Sequence, residues 1–373
     1  MQSSTYTKFA SRVPAWLMLV GALGVPLSLL WDLSWESSVG IDRVWGPPHV
    51  ATYLAIALAG CGALASLVRG TREGRGVRLG KMCGPLGGWV ALWGAVAFVA
   101  ALLFDRWWQA SYGLAAGIWH PPQWVKAIAF FAVACGAWWV RGVRFATAGA
   151  AVLAMVAVVT TAHNFPNLQH AALFYQIACA AYPLVLIALA LAGRSRFTAT
   201  TAALLAMLLQ AGMTWLLPLF PGAPLTGPIY HPRTHLWPVP FPLLLVVPAL
   251  ALDALLRVFP EAARGGAGAS PRTTPNWGAA AEAGLAFFFV FVVVQWSFAS
   301  FLLSPAAEGW LFAGGGKEWP FFLRITAAAQ TSFWPAPVGG EFDLLNVLIA
   351  LALAIVSARA GLSLGAWLQR LRR

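Results

Sequence analysis

The residues with the most chemical potential stand early in the chain. Asp32 and Glu36 are spaced i, i+4, so on a helical turn their carboxylates share a face. Two adjacent carboxylates repel unless a proton or a cation sits between them. His49 follows directly on Pro47-Pro48, a pair suited to the first turn of a helix, where no N–H is needed. Asp32, Glu36 and His49 together have the donor chemistry for one divalent metal ion. The plainer alternative is a solvated loop with acids at a helix end.

A second set follows after 73 to 74 residues. Asp32-Leu-Ser-Trp-Glu-Ser-Ser-Val-Gly40 aligns with Asp105-Arg-Trp-Trp-Gln-Ala-Ser-Tyr-Gly113, and Trp45-Gly-Pro-Pro-His49 with Trp119-His-Pro-Pro-Gln123. Seven positions are identical, and the second copy has one extra residue before its Pro pair. Here the places of the three donors hold Asp105, Gln109 and Gln123, a poor transition-metal set and so a degenerate second site. Lys126, one helical turn past Gln123, or Arg106 is expected to neutralise Asp105 where a metal would otherwise sit. The alternative is a lysine that snorkels to the interface.

Apolar segments position these residues. The chain has 373 residues, 60% hydrophobic and only 10% charged, with 20 Trp and a mean hydropathy of +0.73. This composition excludes a soluble globular domain, a disordered chain and a disulfide scaffold. A bilayer span needs about 20 apolar residues. Ten stretches qualify: Val13–Trp31, Val50–Val68, Leu86–Phe104, Trp124–Val140, Phe145–Ala162, Ala171–Ala192, Thr198–Leu219, Phe241–Leu256, Ala279–Leu303 and Leu344–Ala360. The expected fold is an all-α polytopic membrane protein of about ten transmembrane helices, with a span-loop-span repeat in the first four.

The net charge of +12 raises nucleic acid as a partner, and its distribution argues against it. With both termini in the cytoplasm, 18 of the 24 basic residues fall on the cytoplasmic side, spread over short connectors. The expected partners are the lipid bilayer and other membrane subunits. In this topology all six histidines and eight of the twelve acids reach the outer face, which places the chemistry toward the periplasm of a bacterial inner membrane. The four cysteines lie in spans or on the cytoplasmic side, so no disulfide is expected. The Trp residues of the outer loops fit an aromatic belt.

The spacings Asp32-x3-Glu36-x12-His49 and Asp105-x3-Gln109-x13-Gln123 resemble the C subunit of copper membrane monooxygenases, the particulate methane and ammonia monooxygenases. That family carries Asp-x3-His-x12-His and, one span pair later, Asn-x3-His-x13-His. The resemblance covers about a third of the chain, Val13–Val140. It implies a metal site at Asp32, Glu36 and His49 in an oxidoreductase complex, or in a non-catalytic relative. Glu36 stands where the family has His, Asp105 replaces Asn, and Gln109 and Gln123 replace both second-site histidines. An oxygen-rich set fits zinc, iron or manganese at least as well as copper. Methane or ammonia oxidation does not carry over.

Further donors are second-tier. His163 and His170 bound a short outer turn, and His231 and His235 form His-x3-His in a Pro-containing loop. Both pairs could ligate metal; the alternatives are interfacial capping of helix ends for the first, and for the second an extended loop whose Arg233 binds an anion or a lipid headgroup. The expected organisation is a repeat pair over 1–144, four further spans over 145–258, a flexible cytoplasmic linker over 259–278, and two spans over 279–373 flanking an outer aromatic segment, 304–342. Paired carboxylates and a repeat also suit a cation or small-molecule transporter. A structural or assembly subunit is the third reading.

Overall fold

The computed structural model describes residues 12–40, 44–113, 120–140, 145–161, 164–223, 234–258, 277–307, 311–312 and 340–372. Most of the expected linker over 259–278, most of the segment 304–342, and His163 and His231 lie outside these residues, and 277–278 belong to the helix that follows. The helices are α1 (Val13–Ser38), α2 (Pro47–Glu73), α3 (Leu86–Tyr112), α4 (Pro121–Trp139), α5 (Phe145–Val159), α6 (Ala172–Ala192), α7 (Thr198–Leu216), α8 (Val246–Val258), α9 (Trp277–Leu302) and α10 (Leu344–Arg372). Each expected apolar stretch falls on one of them. Among the described residues seven are long and apolar enough to cross a membrane: α1, α2, α3, α6, α7, α9 and α10. The chain is therefore a multi-pass, mainly helical membrane protein.

Two departures have physical causes. A short hairpin, β1 (Val77–Leu79) and β2 (Met82–Gly84), joins α2 to α3 where the sequence was read as a plain connector. The stretch Phe241–Leu256 is helical only from Val246, because Pro238, Pro240 and Pro242 hold the preceding backbone extended.

The chain forms two compact units. The first comprises Met1–Leu29 and Val44–Met155. Here α3 and α4 cross through small residues. A Cβ on Gly87 would come within 2.3 Å of the Gly136 carbonyl oxygen, and one on Gly136 within 2.6 Å of the Gly87 oxygen. Apolar side chains gain little by leaving lipid, so this close packing is what holds two such helices together.

The second unit comprises Leu30–Arg43 and Val156–Arg373. In α6, Pro183 interrupts the helical hydrogen-bond ladder, and the N–H of Leu184 donates to Ser357 Oγ of α10 at 3.0 Å. Asp253 of α8 is buried and caps α7: its carboxylate accepts the N–H of Thr200 at 2.8 Å and the Thr200 hydroxyl at 2.7 Å. This cap supplies what Phe197, the residue before the first turn of α7, cannot.

The extended segment Leu236–Leu245 is mostly buried. Prolines at alternate positions remove donors from one of its edges, and neighbouring side chains take up other backbone groups. Trp237 N–H donates to Ser38 Oγ at 2.8 Å, and the Ser34 hydroxyl donates to the Trp237 carbonyl. Thr214 donates to the Val239 carbonyl at 3.0 Å and Gln210 to the Pro240 carbonyl at 3.1 Å. Gln295 Oε1 accepts the Leu244 N–H at 3.0 Å. The other end of Gln295 donates to Gln169 Oε1 at 2.6 Å, and Gln169 donates to the Asn164 carbonyl at 2.6 Å. Asn164 then donates to Thr160 Oγ1 at 3.0 Å, which lies 3.2 Å from the Tyr182 hydroxyl.

Gln295→Leu removes a donor and an acceptor from this fully buried network while keeping side-chain volume. It is expected to destabilise the protein by about 2–3 kcal/mol, because the Leu244 N–H loses its acceptor and Gln169 Oε1 its donor. Denaturant unfolding of the purified protein in detergent checks this, with Ser297→Ala, a substitution at an exposed hydroxyl, as the near-neutral control.

Candidate functional site

Helix α1 continues seven residues past the expected end of its apolar stretch, so Asp32 and Glu36 lie on consecutive turns of one helix. They share a face with the Trp31 and Trp35 rings beside it, which meet edge-on at 6.5 Å. Ser34 and Ser38 are displaced from Asp32 and Glu36 by two residues, about 200° around the helix. The serine face is buried and bonded to Trp237. Leu30 and Val39 pack beside it with Leu217, Leu236 and Val239. On the other side of the helix Glu36 is exposed and Asp32 half-buried, its Oδ1 atom inside the protein.

His49 belongs to the first unit. Pro47 and Pro48 open α2, which puts His49 in its first turn. Its ring stacks on Tyr53 at 6.4 Å, and the Tyr53 hydroxyl donates to the Val44 carbonyl at 2.9 Å. Asp32 and Glu36 belong to the second unit.

The second set is built within the first unit, on α3 and α4. Lys126 Nζ lies 2.7 Å from Asp105 Oδ2, with both side chains largely buried, at 16% and 13% exposure. Gln109 donates to the same oxygen at 3.2 Å. Asp105 Oδ1 is buried without a hydrogen-bond partner. An ammonium thus occupies the carboxylate where a metal ion would have to bind. Gln123 lies in the first turn of α4 behind Pro121 and Pro122, and its N–H donates to the His120 carbonyl at 3.0 Å. Arg106 is exposed, so of the two cations considered Lys126 makes the pair.

The second-tier histidines do other work where they are described. His170 Nε2 lies 3.1 Å from Ser300 Oγ, and its ring meets Trp296 edge-on at 4.5 Å. His235 Nδ1 lies 2.8 Å from Thr234 Oγ1. Among the described residues no three His, Cys, Asp or Glu side chains gather as a metal cage. The chemistry of the Asp32–Glu36 pair nonetheless fits a divalent cation: two oxygen donors, one turn apart, on a helix fixed from its far side.

The amides Asn164, Gln169, Gln210 and Gln295 are not metal ligands and carry no motif. The sequence does mark two of them: Gln210 and Gln295 interrupt apolar runs within spans, where a polar side chain needs a partner.

Lys126→Met leaves the Asp105 carboxylate buried beside Gln109 alone. It is expected to destabilise the protein by about 2–4 kcal/mol, with most of that recovered in Asp105→Asn/Lys126→Met. A double-mutant cycle on unfolding in detergent measures the coupling; additive losses would dissolve the pair.

Compared with known proteins, the chain matches no family model, no curated protein and no solved structure. The likeness to monooxygenase C subunits therefore rests on the residues and spacings of the repeated motif.

Proposed function

We propose that this chain is a membrane metal-binding protein of a bacterial inner membrane, built on the plan of copper membrane monooxygenase C subunits. In this reading it holds one divalent cation at its periplasmic face and works within an oxidoreductase complex. The carboxylates of Asp32 and Glu36 supply the first donors, and His49 is the third donor expected from the spacing. The metal would bring Lewis acidity or redox chemistry. The chain's own part is to hold two carboxylates on one helix face.

The Lys126–Asp105 ion pair carries the proposal. If the two motifs are copies of one unit, the second shows its first carboxylate holding a cation, the Lys126 ammonium. The equivalent place in the first copy is Thr52, whose hydroxyl is 2.9 Å from Ser28 Oγ and 3.1 Å from the Pro48 carbonyl. In this reading a metal ion takes the cation's part in the first copy. Support for treating the motifs as copies comes from local geometry. The aligned glycines Gly40 and Gly113 both have positive φ, 107° and 82°, and each Pro pair opens the following helix.

Transport is a second reading, favoured by the buried extended segment before α8, since interrupted helices form the binding sites of many transporters.

Metal analysis of the purified full-length protein tests the proposal. Stoichiometric metal is expected in the wild type and its loss in Glu36→Ala and His49→Ala. Thr52→Lys, which supplies the first copy with the lysine of the second, should also expel it, while Gln123→Ala should leave it in place. A metal-free wild type overturns the reading. Proteoliposomes enclosing a zinc-sensitive dye separate binding from transport, because only a transporter fills them.

A further inference from the structure

We propose that the hairpin between α2 and α3 is a docking site for anionic phospholipid headgroups of the membrane that the protein spans. The hairpin lies between two helices that are each long and apolar enough to cross a membrane, so a bilayer surface is the nearest partner it can have. Five cations fall within 69–84: Arg69, Arg72, Arg75, Arg78 and Lys81, all exposed. The one acid there, Glu73, is paired with Arg69 at 2.7 Å. The remaining four cations have no acid within this connector to answer them.

Charge alone would only orient the chain. The shape of the hairpin goes further. Its register pairs Val77 with Gly84, Arg78 with Cys83, and Leu79 with Met82. The β2 strand faces the protein: Cys83 and Gly84 are buried, and a Cβ on Gly84 would meet Leu67 of α2. The β1 strand is exposed throughout, with Val77 at 49% and Leu79 at 53% on either side of Arg78. Exposed apolar side chains set among arginines and a lysine are the composition of a segment that lies in the headgroup layer.

The hairpin is also held in place. Cys83 N–H donates to Thr71 Oγ1 at 2.8 Å, and the Trp89 indole of α3 donates to the Val77 carbonyl at 3.0 Å. Gly76 has φ 107°, and a Cβ there would lie 2.2 Å from the Gly84 oxygen. The cations are therefore presented from a fixed scaffold, which favours a bound lipid over diffuse attraction.

Native mass spectrometry of the full-length protein in neutral detergent, with equimolar phosphatidylglycerol and phosphatidylcholine, tests the proposal. Wild type is expected to retain phosphatidylglycerol preferentially. Arg75→Gln/Arg78→Gln/Lys81→Gln should lower that preference about tenfold or more, since each basic residue at a lipid surface contributes about fivefold. Val77→Ser/Leu79→Ser should weaken retention with every charge intact. Arg194→Gln/Arg196→Gln/Arg257→Gln, an equal charge loss on the other unit, should leave the ratio unchanged. Matched melting temperatures establish that each variant is folded. The proposal fails if the hairpin variant keeps the wild-type ratio or the control loses as much. It also fails if wild type retains neither lipid, or if RNA or a protein is held through the hairpin in place of lipid.

Discussion

In a bilayer core no water completes a backbone hydrogen bond, so every N–H and C=O must be answered within the protein. The second unit depends on this constraint, because its chain leaves the helix between Leu236 and Leu245. Prolines at 238, 240 and 242 make the segment extended and also reduce the number of donors it must place. The carbonyls of Trp237, Val239 and Pro240 are taken by Ser34, Thr214 and Gln210, and the N–H groups of Trp237 and Leu244 by Ser38 and Gln295. The same constraint explains why these five polar side chains sit inside apolar helices.

Carboxylates obey a stricter form of the rule, since a buried charge costs more than a buried dipole. Asp253 meets it with the N-terminus of α7, where backbone N–H groups and the helix dipole both favour a negative charge. Asp105 meets it with an ammonium and an amide on one oxygen. Chain-internal donors of positive potential therefore accompany Asp253 and Asp105, the buried acids among the described residues.

The helices were legible because hydropathy over about 20 residues is a sum that tolerates local irregularity. Helix ends were not: α1 runs on through Ser38 and α10 through Arg372, because polar residues with good local helix geometry extend a span beyond its apolar core. The break before α8 was hidden for the opposite reason. Phe241, Leu243, Leu244 and Leu245 read as a span by composition, and hydropathy takes no account of three prolines in the backbone. At the site, charge and helical spacing offered Lys126 or Arg106 as the partner of Asp105, and only the fold chooses Lys126. The hairpin did not, since three-residue strands with Arg at the centre carry no periodic signal long enough to read. The amides were missed because their role is to answer backbone groups whose exposure depends on the fold.

The two constraints meet on α1. Its serine face satisfies the extended segment, and its acid face lies about 200° away by the pitch of the helix. Ser34 and Ser38 bond Trp237 from one side of α1 and leave Asp32 and Glu36 on the other, so one set of hydrogen bonds fixes both the extended segment and the rotation of the carboxylates. A slip of one residue in α1 would turn the acids by about 100° and strip the Trp237 backbone of its partners at once. The rotation of the carboxylate pair is thereby tied to hydrogen bonds made on the opposite side of the helix.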